Sequence, residues 1–129
     1  MPAIELNKDN FDQIVTDNPF IVVDFWAPWC GPCRGFAPVF EAASDKHPDI
    51  VFGKINTEDE PELASSFGIR SIPTLMVMRE QVILLSQAGA MPASALEQVI
   101  EQAAALDMLQ VHAEIAADNA AQPPAGSAS

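Results

Sequence analysis

Residues 20–33 read Phe-Ile-Val-Val-Asp-Phe-Trp-Ala-Pro-Trp-Cys-Gly-Pro-Cys, and the reading of this stretch decides the fold. Phe20–Trp26 is a nearly continuous apolar run of strand length, rich in β-branched and aromatic residues. That pattern suits a central strand covered on both faces. Cys30 and Cys33 follow at once, and beyond them Phe36, Val39, Phe40 and Ala43 recur at helical spacing. The cysteine pair therefore opens a helix over about residues 30–46. Pro38 removes one backbone donor and should kink that helix, and Pro48 helps to end it.

Working outward, residues 4–6 form a possible short edge strand. Asn7 can cap a helix running to about residue 16, with Asp9 and Asp12 near its positive end and Phe11, Ile14 and Val15 facing inward. Residues 50–56 read as a second buried strand. A short acidic helix over about residues 59–67 follows, and Gly68 is placed to end it. After Ile72-Pro73, residues 74–78 and 82–88 pair as an antiparallel hairpin through Arg79, Glu80 and Gln81. Gly89 breaks the second run. Pro92 sits in the first turn of a final helix whose inward face carries Leu96, Val99, Ile100 and Ala103, and residues 106–117 are expected to prolong it. Residues 122–129 have the composition of a disordered tail. The sum is an α/β domain with a central mixed β-sheet flanked by helices on both faces.

The bulk numbers fit one compact domain: 129 residues, 49% hydrophobic and 19% charged. Residues 1–11 show no basic head followed by an apolar run, and the apolar stretches are too short to span a bilayer, so the expected location is cytoplasmic. A net charge of −12 repels phosphate backbones and anionic membrane surfaces, so neither nucleic acid nor membrane is expected as a partner. Two cysteines are at most half a structural zinc site, and His47 and His112 lie far from them in sequence, so no metal is expected.

The chemistry rests on the cysteine pair. Two cysteines separated by two residues on the first turn of a helix can reach each other as a disulfide. The helix N-terminus aims partial positive charge at the Cys30 sulfur and favours its thiolate, the reactive form. Gly31 and Pro32 shape the turn between them. In this reading Cys30, at the exposed edge of the helix start, attacks a disulfide elsewhere; Cys33, one turn further in, resolves the mixed disulfide. Asp24 is costly in a strand buried on both faces, and burial raises a carboxyl pKa. Near the base of the helix it suits a group that takes the proton of Cys33 and returns it; the alternative is an aspartate turned to water at a strand end. Lys54, in the second strand, either tunes Asp24 across the sheet or snorkels at the sheet surface. Trp29 belongs to a docking surface beside Cys30, Trp26 points into the core by alternation, and Glu58, Asp59, Glu60 and Glu62 form a solvated acidic face. Pro73 is trans on the general frequency of X–Pro bonds.

Trp26-Ala27-Pro28-Trp29-Cys30-Gly31-Pro32-Cys33 resembles the active-site motif of the thioredoxin family, and the resemblance runs over about residues 4–102. It implies a thioredoxin domain over residues 1–106 and a C-terminal extension over 107–129. Asp24 matches the family's buried acid and Lys54 its lysine partner. Ile72-Pro73-Thr74 matches the segment of the family's cis-proline, which reverses the trans expectation. Gly89 matches the glycine that completes the substrate groove, then lined by Trp29, Gly31, Pro32, Ile72, Pro73, Ala88, Gly89 and Ala90. The resemblance implies a protein-disulfide reductase, a monomer with no bound cofactor, recharged by thioredoxin reductase with electrons from NADPH, and acting on disulfide-containing client proteins. Arg34-Gly35-Phe36-Ala37-Pro38 and Asn56-Thr57-Glu58 look like the bacterial second thioredoxin, without the N-terminal zinc module of that subclass. The hairpin at 79–81 lacks the family's usual Asn-Gly, and Gly35 stands where a side chain is commoner.

Two other readings stand beside the reductase. One is an oxidant or isomerase of an exported compartment. The other is a binding module in which redox only switches docking, kept open by the acidity and the extension.

Overall fold

The structure, a computed structural model, describes residues 3–121. The tail over residues 122–129 lies outside them. Ten elements follow one another: β1 Ile4–Glu5, α1 Phe11–Asp17, β2 Phe20–Trp26, α2 Gly31–Lys46, β3 Val51–Asn56, α3 Pro61–Ser66, β4 Thr74–Arg79, β5 Val82–Ala88, α4 Ala93–Ala105 and α5 Met108–Ala121. The strands form one sheet in the order β1-β3-β2-β4-β5. β1, β3 and β2 run parallel, while β4 and β5 are antiparallel to their neighbours, so the sheet is mixed as expected.

Alternation along β2 sorts the core into two layers. Val22 faces α2 and α4, among Phe36, Phe40, Leu96 and Ile100. Ile21, Val23 and Phe25 face α1 and α3, among Phe11, Ala64, Met76 and Met78. Asp24, one alternation on from Val22, therefore faces the α2 side. The two parallel strands β1 and β3 meet closely at Gly53, which pairs with Ile4. A Cβ at Gly53 would collide with the buried side chain of Leu6.

Several boundaries differ from the sequence reading, each for a local reason. The first helix starts at Phe11, because Asn7 and Asn10 build a turn ahead of it: Asn7 Oδ1 accepts from the Asp9 and Asn10 amides, and Asn10 Oδ1 accepts from the Asn7 amide. The acidic helix is shorter than expected and starts at Pro61. Gly68 ends it at φ 67°, its amide bonded to the Ser65 carbonyl. The hairpin loop is two residues, not three, since Arg79 pairs with Val82. Glu80 and Gln81 take φ 50° and 67°, the signs of a type I′ turn without the Asn-Gly that usually provides them.

The final helix is not prolonged. Leu106 turns extended at ψ 138°, and Asp107 starts a separate helix by accepting the Leu109 and Gln110 amides on Oδ1 at 3.0 and 3.4 Å. The junction is held by the hairpin. Arg79 Nη1 donates to the Ala103, Ala104 and Leu106 carbonyls, placing a cation at the negative end of α4. Glu80 pairs with His112 of α5 at 3.0 Å, and Met108 is buried.

Candidate active site

The loop after β2 is pinned before α2 begins. The Cys30 amide bonds to the Ala27 carbonyl, Arg34 Nη1 donates to the Pro28 carbonyl, and the Thr57 amide and hydroxyl both donate to the Trp26 carbonyl. This fixes Cys30 as the N-cap of α2, with Pro32 in the first turn. Its Sγ accepts the backbone N–H of Cys33 at 3.2 Å. A sulfur in that position satisfies a donor the helix itself cannot pair, and it sits in the positive field of the helix start. Cys30 and Cys33 are joined as a disulfide with their Cα atoms 5.2 Å apart. Contrary to the exposed edge expected for Cys30, both residues are buried, Cys30 keeping 5% of its surface and Cys33 only 2%, so Cys30 is the more accessible of the two.

Ile72-Pro73 closes the site from the other side. Its peptide bond is cis, as the family resemblance implied and the general frequency did not. The Ile72 carbonyl oxygen lies 3.8 Å from Cys30 Sγ, and the Pro73 carbonyl accepts the Gly89 amide at 2.8 Å. Gly89 itself has φ 102°, a conformation glycine adopts readily. Thr74 pairs with Ala88. Trp29, Gly31, Pro32, Ala88, Gly89 and Ala90 are exposed, Ile72 is half-buried and Pro73 is buried.

Asp24 is fully buried, and neither carboxylate oxygen has a hydrogen-bond partner. Burial is the largest influence on its carboxyl, and the charge of Lys54 opposes it while that of Glu41 adds to it; the pKa is pushed up to about 7. Lys54 is the direct partner of Asp24 in the β2–β3 register. Its ammonium sits 4.8 Å from the centre of the Trp26 ring. Trp26 is half-buried against the Ala27, Cys30 and Cys33 cluster rather than lost in the main core.

Two groups escaped sequence reasoning. Glu58, read as part of a solvated face, accepts the Trp29 indole N–H and so orients the exposed ring beside Cys30. Thr57 anchors the end of β2. Both act across 29 or more residues, and only the Asn56-Thr57-Glu58 resemblance pointed at them. His47 binds Glu97 and His112 binds Glu80, away from the disulfide. Among the described residues no group of three or more His, Cys, Asp or Glu is arranged to hold a metal ion.

The thioredoxin family model matches residues 2–102. The chain belongs to the thioredoxin family. A Streptomyces coelicolor protein described as "Putative thioredoxin 2" is 57% identical over 118 residues, covering 92% of this chain and 88% of that protein. A thioredoxin of Porphyra purpurea is 41% identical over 104 residues, covering 79% of this chain and 97% of that one. Among solved structures, a mutant thioredoxin from Halobacterium salinarum matches with TM-score 0.75 at 30% identity, covering 82% of this chain and 93% of that one. Plasmodium falciparum thioredoxin matches with TM-score 0.72 at 35% identity, covering 78% and 97%. An alignment of 118 residues must run on past α4 into α5.

As a thioredoxin, the protein is a thiol-disulfide oxidoreductase of the disulfide-reductase type, and Cys30–Cys33 is its redox-active pair. The family works with thioredoxin reductase and disulfide-containing clients.

Proposed function

We propose that this thioredoxin is a general reductant of cytoplasmic protein disulfides, with each site residue in a defined role. The observation that carries the reading is the Cys30–Cys33 disulfide at the head of α2, with Cys30 the more accessible of the two, above an unpartnered buried Asp24 on the face that α2 covers. In the reduced protein the Cys30 thiolate attacks one sulfur of a client disulfide, and the other client sulfur leaves as a thiolate. Cys33 gives its proton to the Asp24 carboxylate and attacks Cys30 Sγ. The second client sulfur leaves Cys30 as a thiolate; with the proton held by Asp24 and one from solvent the client departs as a dithiol, and the protein is left with the Cys30–Cys33 disulfide. A carboxyl that titrates near 7 matches this proton transfer at neutral pH. Lys54 keeps that pKa from rising further.

A client segment lies in the groove of Trp29, Gly31, Pro32, Ile72, Pro73, Ala88, Gly89 and Ala90, pairing its backbone with that of Ile72. The thioredoxin unit spans residues 1–106, works as a monomer, and carries residues 107–129 as an extension. It binds no cofactor of its own; NADPH electrons arrive through thioredoxin reductase.

The test is a trapping pair. Cys33→Ser should hold clients on Cys30 as mixed disulfides, and Cys30→Ser should hold none; clients captured without Cys30 would overturn the mechanism. Equilibration with dithiothreitol should give a reduction potential near thioredoxin's own general value of about −270 mV. A potential near −120 mV, the oxidising end of dithiol proteins, would instead make the protein an oxidant.

A further inference from the structure

The segment Pro28–Cys30 joins the end of β2 to the head of α2 and carries Trp29 and Cys30. Arg34 holds it at both ends. Its backbone amide donates to the Cys30 carbonyl at 3.2 Å, and its guanidinium Nη1 donates to the Pro28 carbonyl at 2.8 Å. The reach follows from the helix, because a side chain at the end of the first turn leans back over the residues that precede it. A Cβ built on Gly31 would meet only Arg34 Nη2, at 4.0 Å. The planar group therefore lies along the outer surface of the segment, beside the exposed Gly31.

This contact is not ordinary surface pairing. Acidic side chains outnumber basic ones 18 to six in the sequence, yet Arg34 makes no ion pair among the described residues. The partner of its guanidinium is a backbone carbonyl. Among those residues it is also the only side chain of α2, Cys33 excepted, that is bonded to the loop before the helix. Thr57 and Glu58 hold the same loop from the other side, at Trp26 and Trp29.

The two ties from α2 differ in when they exist. The Cys30–Cys33 disulfide binds the segment to the helix covalently, and each round of reduction opens it. Once it is open, the two hydrogen bonds of Arg34 remain. We propose, resting on the reading of Cys30 as the attacking sulfur, that Arg34 is a positioning residue for the reduced protein. The guanidinium–Pro28 bond takes over from the disulfide in holding Pro28–Cys30 against α2, and it keeps the Cys30 thiolate where a client disulfide meets it. Charge is not the operative property. A lysine at this place keeps the charge, but its ammonium ends one bond short of Nη1 and lacks the planar fork.

The test compares amide hydrogen exchange of the full chain, reduced in dithiothreitol and again as the disulfide, for the parent, Arg34→Met and Arg34→Lys. Arg34 is exposed, so both variants keep the core. The reporters are the Cys30 and Cys33 amides, bonded to the Ala27 carbonyl and to Cys30 Sγ. In the dithiol form both variants should exchange them about fivefold faster than the parent, the effect of losing one hydrogen bond of ordinary net strength. In the disulfide form the three proteins should agree within about twofold. The second readout is the rate of attack on a disulfide-containing peptide, taken on the high-pH plateau where Cys30 is fully thiolate and a changed thiol pKa no longer enters. It should fall about threefold in both variants. The proposal is overturned by exchange that rises equally in both redox forms, by unchanged exchange in the dithiol form, by Arg34→Lys matching the parent, or by an unchanged plateau rate. Clients captured by Cys30→Ser would instead overturn the reading beneath it, an outcome the exchange comparison does not share.

Discussion

Asp24 and Lys54 stand opposite each other in the parallel β2–β3 pair, yet they form no ion pair: the lysine ammonium lies over the Trp26 ring, and both Asp24 oxygens go without a partner. The balance of effects follows from this arrangement. Removal from water penalises the carboxylate more than a lysine held at a distance favours it, so the carboxyl titrates near 7 instead of near 4. A direct salt bridge would have pulled the pKa the other way and left a carboxylate too weak as a base to accept a thiol proton at neutral pH.

The same pKa makes Asp24 a source of pH-dependent instability. Between about 3.8 and about 7 the folded protein holds a proton that the unfolded chain has released, so stability falls as pH rises through that window and is level on either side. The loss is on the order of 4 kcal/mol. Replacing Asp24 with Asn should therefore raise stability at pH 8 by a few kcal/mol and leave it nearly unchanged at pH 4. Urea unfolding of both proteins at several pH values measures the difference, in which the titrations of the other acids cancel. Parallel curves for the two proteins would show that Asp24 is not the group responsible. In single-turnover reduction the same variant should slow release of the mixed disulfide above neutral pH while leaving initial attack by Cys30 intact.

Lys54 and Glu41 act on Asp24 with opposite signs, the lysine lowering and the glutamate raising its pKa. Lys54→Met should move the titration of the Asp24 carboxyl carbon upward. Glu41→Gln should move it downward by a smaller amount, because Glu41 is the lesser influence. Both are read directly by carbon NMR. Shifts in the same direction would point to rearranged packing in place of charge.

Two glycines predict opposite outcomes for one substitution. A Cβ at Gly35, inside α2, meets nothing within 4 Å, so Gly35→Ala should stabilise by about 0.5–1 kcal/mol through helix propensity. A Cβ at Gly53 meets Leu6, which is 1% exposed and has nowhere to go. Gly53→Ala should cost about 1–3 kcal/mol through overpacking. Adding Leu6→Ala should recover part of the strain term, at the expense of its own lost burial. Thermal melts of the three proteins suffice.

What was legible in the sequence was local. Phe20–Trp26 announced a buried strand by composition, and the cysteine spacing announced chemistry at the helix that follows, because strand, turn and helix start lie within 14 consecutive residues. Asp24 was legible for the same reason, as a charge where no charge belongs. What escaped depends on distant contacts or hides in uniform sequence. The Trp29–Glu58 hydrogen bond joins two loops that the chain does not relate. The break between α4 and α5 sits in an alanine-rich run with helical propensity throughout, and only Asp107, a capping residue before Met108, marked it.

The hairpin was expected, but its tightening to a two-residue loop at Glu80 and Gln81 was not, for a reason that can be tested. Both residues hold positive φ, which costs about 1–2 kcal/mol for a residue with a Cβ, and neither is the glycine or asparagine that would relieve it. The turn persists because its flanks are engaged elsewhere: Arg79 caps α4 through three carbonyls, and Glu80 holds His112 of α5. Gln81 makes no such contact through its side chain. Gln81→Gly should therefore stabilise the protein by about 1 kcal/mol and leave reductase activity unchanged. Arg79→Met should do the reverse, uncovering the end of α4 and costing about 1–3 kcal/mol for the carbonyls left without a donor. Hydrogen exchange locates the loss: amides at the C-terminal turn of α4 and the first turn of α5 should exchange faster in Arg79→Met, while those around Cys30 hold. Faster exchange over the whole sheet would mean that the arginine secures the hairpin itself and not the helix junction.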